Sequence, residues 1–208
     1  MVDKALPLVF LPGAGGHGSV WEPIAKRLAK RREPILLDYP GLGATPADPA
    51  LHTLDDLSRW LERSLPPRFD LVARSMGASL ALRWALAWPD RVRRLVLVVP
   101  AGGVDARRFG GIEWRDTLMA ERPHAPRFFA DDDTHFTHEL ASVRAQALLV
   151  FGDNDPISPI ALGEFLQKNL PAAKLEILPG ATHDLEAEFP DLLASLIEAH
   201  LRQAEIQR

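Results

Sequence analysis

Cysteine is absent from the 208-residue chain, which excludes disulfides and thiolate chemistry together. A basic surplus is also missing. The 24 Lys and Arg against 28 Asp and Glu give a formal net charge of -4, so no charge excess draws the chain to nucleic acid or an anionic membrane. The apolar start, Ala5 to Leu11, is too short to span a bilayer, lacks a small-residue cleavage pattern and runs into a glycine turn. It reads as a strand, and a cytoplasmic location is expected by default. Internal repeats and low-complexity tracts are lacking too. With 47% hydrophobic residues, the chain suits one soluble domain with a substantial core.

What is present is a rhythm. Short apolar runs at 6–11, 34–37, 69–73, 94–99, 147–151 and 174–178 alternate with amphipathic stretches. Helices are predicted over 21–30, 54–64 and 76–88. Runs apolar on both faces and separated by helices point to an α/β fold: about six strands, mostly parallel, with helices on both faces. The rhythm breaks at 101–146, which holds glycine pairs, the acidic run Asp131-Asp132-Asp133, three histidines and several aromatics. That segment reads as a small lid inserted over one end of the sheet within a single domain, 1–208.

Ala73-Arg74-Ser75-Met76-Gly77 lies between a predicted strand and a predicted helix. A serine on such a tight turn is held with its hydroxyl exposed above the sheet. Serine needs a base, and the base needs an orienting acid. Gly152-Asp153-Asn154-Asp155 and Gly180-Ala181-Thr182-His183 each follow a later predicted strand, in the order serine, acid, histidine.

In these loops the chain resembles the α/β-hydrolase superfamily along nearly its whole length. Ala73 stands where the elbow's first glycine is usual. The resemblance implies Ser75 as nucleophile, Asp155 as acid with Asp153 a turn residue, and His183 as base. Pro12-Gly13-Ala14 stands where the family has His-Gly-x, which assigns oxyanion donors to the amides of Ala14 and Met76. Asp38-Tyr39-Pro40-Gly41-Leu42-Gly43 resembles a family turn that packs behind the oxyanion loop. A carboxylesterase- or thioesterase-like hydrolase of small or mid-sized substrates is implied, with no metal or organic cofactor and a small molecule as partner. Acyl transfer, cofactor-free haloperoxidation, carbon–carbon hydrolysis and lyase chemistry use the same three residues, and a non-catalytic binding protein is a further alternative.

Gly13-Ala14-Gly15-Gly16-His17-Gly18 also fits a dinucleotide-binding G-x-G-x-x-G, with Asp38 20 residues beyond Gly18. Pro23 opposes this, since inside a helix starting at those glycines it costs roughly 3 kcal/mol. His135 and His138 beside Asp131–Asp133 have an i, i+3 spacing open to metal, although a solvated face explains them too. Phe109, Trp114, Phe128, Phe129 and Phe136 suit either an apolar substrate pocket or packing of the insertion. Arg74 suits either an anionic substrate group or an ion pair. Ser79, one turn past the elbow, is expected to face helix neighbours. Lys26 to Arg32 is read as a cluster completing a helix C-terminus.

Overall fold

The apolar runs pair as six strands: β1 (Leu8–Leu11), β2 (Pro34–Leu36), β3 (Phe69–Arg74), β4 (Val92–Val98), β5 (Gln146–Gly152) and β6 (Ala173–Leu178). The computed structural model describes residues 6–30 and 32–202; Ala5 and Arg31 lie outside them. Every pairing is parallel, in the spatial order β2-β1-β3-β4-β5-β6. The helices are α1 (Glu22–Leu28), α2 (Leu54–Glu62), α3 (Gly77–Ala87), α4 (Arg115–Glu121), α5 (Phe128–Asp131), α6 (Ile160–Asn169), α7 (Leu185–Glu188) and α8 (Pro190–Leu201). None of them is long and apolar enough to cross a membrane.

Alternation along each strand divides the core in two. Leu8, Phe10, Val72, Val96, Leu148 and Val150 join the apolar faces of α1 and α8 on one side. Val9, Leu11, Leu71, Leu97, Leu149 and Phe151 meet α2, α3 and α6 on the other. Both faces are therefore dry, which is why these strands read as continuous apolar runs.

Helix starts follow local chemistry. Thr53 caps α2 by accepting the Asp56 amide at 3.0 Å, and Asp55 and Asp56 occupy its first turn. Helix α1 begins at Glu22 after a 3₁₀ turn at Gly18–Trp21, so Pro23 falls in its first turn, where it is tolerated. The dinucleotide reading fails on this point. It fails again at Asp38, whose carboxylate accepts from the Gly18 amide and so faces the protein's own turn.

The basic cluster differs in part from the expectation. Lys26 pairs with Glu22 on the surface of α1. Arg32 instead reaches buried Asp70, which also accepts two hydrogen bonds from Arg93. A fully buried carboxylate requires such partners, and Asp70 was hidden within an apolar strand pattern.

Between β4 and β5 the chain forms 3₁₀ turns at Ala106–Phe109 and Leu140–Ser142 and the short helices α4 and α5. Asp132 binds this segment to α3, with its Oδ2 3.4 Å from the Ser79 hydroxyl and its Oδ1 accepting from Thr134. Ser79 thus contacts the insertion and not only its helix neighbours. Of the five aromatics, Phe128 and Phe129 are buried, Phe109 packs on Phe165, and Phe136 lies beneath Arg83.

His200 on α8 is buried and donates from Nε2 to the Gln146 carbonyl at 3.1 Å. Burial, then the charges of Arg94 and Arg93, lower its pKa from 6.5 to about 4. The unfolded chain therefore takes up a proton near pH 6.5 that the folded chain refuses until about pH 4, and stability falls with pH across that window. The ceiling is on the order of 3 kcal/mol. Glu186, whose pKa burial raises, acts in the opposite sense, so the test is comparative. Thermal melts from pH 7 to 4 should fall less steeply for His200→Gln than for the wild type; parallel curves would remove His200 as the cause.

Candidate active site

Strand β1 pairs with β2 on one side and β3 on the other, so the chain leaves β1 in one direction and returns on the opposite flank. Open α/β sheets have a crevice at such a switch point, beyond the carboxyl ends of the strands. Leu11 and Ala73, near the ends of β1 and β3, are register partners. The Gly13 turn and the Ser75 turn therefore emerge side by side.

Ser75 adopts a left-handed backbone, φ 48, uncommon for a residue with a side chain. Its amide donates to Val98, and its carbonyl accepts from Ala78 and Ala101. Gly77 lets the strand and helix close: a Cβ there would strike the Pro12 carbonyl oxygen. Ala73 is fully buried, and the core accommodates its methyl where glycine is usual in the resembling family. Val99 is the other described non-glycine residue with positive φ, and it turns the chain at the end of β4. The next carbonyl, Pro100, accepts from the buried Ser158 hydroxyl at 2.7 Å and so ties the β4 end to the loop after β5.

That loop carries Asp155, whose Oδ1 accepts the amides of Ile157 and Ser158 at 2.8 and 3.1 Å. Its Oδ2 lies 2.8 Å from Nδ1 of His183, and Nε2 of His183 lies 2.8 Å from the Ser75 hydroxyl. A carboxylate only accepts, so Nδ1 carries the imidazole hydrogen and Nε2 is left to accept from serine. Asp153 faces elsewhere and takes the Gly180 amide at 2.6 Å. Asn154 donates to the Ala181 carbonyl, which braces the β5 loop against the β6 loop that carries His183.

Two amides point to a further function. Among the described residues, neither the Ala14 nor the Met76 N–H donates to a protein acceptor. Ala14 and Ser75 line the same cleft, and a Cβ on Gly13 would come 3.1 Å from Cβ of Ser75. The turn is held from behind: the Tyr39 hydroxyl donates to Pro12, and the Tyr39 amide donates to Gly16.

The cleft has a volume of about 440 Å³ and contains Ser75 and His183. Ile112, Trp114, Leu118 and Ile157 supply apolar wall, with Glu113, Glu121 and Arg122 among the polar residues. Of the insertion's five candidate aromatics, Trp114 alone lines it; packing accounts for the others. Arg122 donates to the carbonyls of Gly15 and Leu42, bridging α4 to the two glycine turns. A second depression of about 500 Å³ lies near His52 and Asp131–Asp133, and the Thr53 hydroxyl at its edge is engaged by Asp56 in the cap of α2. Among the described residues, His135 and His138 join no group of three ligands able to hold a metal.

Sequence reasoning missed Ser158, Arg122 and Glu186. Their contacts are long-range, and no local spacing signals them. Glu186 is buried beside Arg74, and burial raises its pKa against the opposing charge of that arginine.

Residues 7–140 match the model for the alpha/beta hydrolase fold. The chain is 28% identical to a pimeloyl-acyl-carrier-protein methyl ester esterase of Nitrosomonas europaea, over 92% of this chain and 94% of that protein. It superposes on a thermophilic esterase from Thermogutta terrifontis with TM-score 0.77 and 19% identity, covering 96% of this chain and 90% of that one. A meta-cleavage product hydrolase from Pseudomonas fluorescens gives TM-score 0.76 at 18% identity, covering 98% and 93%. With the family model spanning most of its length and this sheet beneath the site, the chain belongs to the α/β-hydrolase family.

Proposed function

We propose that this hydrolase cleaves a carboxylic ester of small or mid-sized substrate through an acyl-enzyme formed on Ser75. The observation that carries the reading is the unbroken run from the Ser75 hydroxyl through both nitrogens of His183 to Asp155, each link 2.8 Å. His183 takes the serine proton as the oxygen attacks the carbonyl, then delivers it to the departing alcohol. Asp155 stabilises the imidazolium that forms. The amides of Ala14 and Met76 receive the oxyanion. Water then repeats the sequence and releases the acid.

Relatives named as methyl ester esterases favour an ester with a small alcohol. The side chains of Ile112, Trp114, Leu118 and Ile157 give an acyl chain an apolar surface to lie on. A volume of about 440 Å³ suits a mid-sized molecule. The reading needs no metal or organic cofactor. It takes the cytoplasm as the default place of action and a small molecule as the partner; the net charge of -4 offers no attraction to nucleic acid or an anionic membrane.

A fluorophosphonate probe should label the wild type and leave Ser75→Ala unlabelled, with kcat on p-nitrophenyl butyrate falling by several orders of magnitude. A folded wild type that resists the probe would sink the reading. Asp155→Asn should lower kcat on the order of 10⁴-fold, because the imidazole loses its enforced tautomer. Asp153→Asn should cost at most about threefold. The reverse ranking in steady-state kinetics would transfer the acid role to Asp153.

A further inference from the structure

Arg74 precedes the nucleophile, yet its guanidinium reaches across the site to the loop of the base. Nη2 donates to the backbone carbonyl of His183 at 3.0 Å and lies 3.2 Å from Oδ1 of Asp184. Nη1 pairs with Oε1 of Glu186 in the first turn of α7. The Arg74 side chain is 13% exposed and that of Glu186 2%. Asp184, at 74%, is in solvent and screened, so the structural contacts are the carbonyl and Glu186.

We propose that Arg74 is a positioning residue that sets His183 at its distance from Ser75, with Glu186 as the anchor that fixes the guanidinium. This rests on the reading of Ser75 and His183 as nucleophile and base.

The reasoning begins with where the imidazole is otherwise held. His183 lies after β6, at the edge of the sheet, and among the described residues its ring hydrogen-bonds to Ser75 and Asp155. The Ser75–His183 bond spans 108 residues of sequence, and no strand pairing joins β3 to β6. Arg74 closes that gap directly, since one end of it is covalently next to Ser75 and the other holds the His183 main chain.

The way the guanidinium is divided supports the same role. Arginine and a carboxylate frequently form two parallel hydrogen bonds with each other. Here one terminal nitrogen goes to Glu186 and the other to the loop carbonyl. Nε of Arg74 and Oε2 of Glu186 remain without acceptor or donor among the described residues. Arg74 borders the cleft, and its charge is met by Glu186. Lysine could not substitute fully, because an ammonium is a point donor and cannot hold the two acceptors in one plane.

The test is steady-state kinetics of Arg74→Met, Arg74→Lys and Ser75→Ala on p-nitrophenyl butyrate, with fluorophosphonate labelling rates measured alongside. Arg74→Met should lower kcat on the order of 10²-fold with KM within about twofold, because a displaced base weakens the transition state and not substrate binding. Labelling should slow in parallel. Arg74→Lys should fall between the two, and millimolar guanidinium, unlike equal sodium chloride, should partly restore Arg74→Met.

A rise in KM at unchanged kcat would make Arg74 a substrate contact and overturn the proposal. So would full activity in folded Arg74→Met. If that variant does not fold, wild-type kcat in folded Arg74→Lys overturns it instead. Activity in Ser75→Ala would defeat the underlying reading; an inactive Ser75→Ala beside a fully active Arg74→Met would defeat this proposal alone.

Discussion

The hydrogen bond from the Ser75 hydroxyl to Nε2 of His183 joins residues 108 positions apart, in the turns that follow two non-adjacent strands. It weakens steeply with distance and angle, so three loops must be fixed to a fraction of an ångström for it to form. Much of the architecture at that end of the sheet meets this demand. The left-handed Ser75 raises the hydroxyl, and Gly77 allows α3 to begin immediately behind it. Strain of this kind persists only where surrounding contacts over-determine it, and three backbone hydrogen bonds on Ser75 do so.

The loops that carry Asp155 and His183 are braced against each other. Gly152 passes so close to Ala181 that a Cβ would collide with its carbonyl oxygen. Asp153 and Asn154 each hold the β6 loop by one hydrogen bond. Two acids separated by Asn154 in one sequence motif thus divide the work: Asp153 holds the backbone and Asp155 faces the imidazole. Their identical chemistry gives composition and spacing no means to separate them; the family resemblance pointed to Asp155, and backbone direction in the folded loop places Asp155 against the imidazole.

The insertion shows where pattern reading loses resolution. Five aromatics were equally suited to lining a pocket or packing a lid, and only Trp114 borders the cleft. Phe128 and Phe129 pack on each other, with Phe129 stacked on Tyr39. These segments are short, two of them single 3₁₀ turns, and carry no sustained periodicity to indicate a face. Arg74 was open in the same way between anion anchor and ion pair, and the fold pairs it with Glu186.

By itself the sequence determined the strand runs, their parallel character, and the order of serine, acid and histidine loops. These are set by local composition: apolar segments buried on both faces, and turn residues at their ends. Element ends shifted by only one or two residues, as with α3 at Gly77 and β4 at Val92. Only the tertiary structure decided how Asp155 and Asp153 face, which side chains of α4 form the cleft wall, and that Arg74 spans from the Ser75 turn to the His183 loop. Those choices depend on the directions of side chains brought together from distant loops, and no local spacing encodes a direction in space.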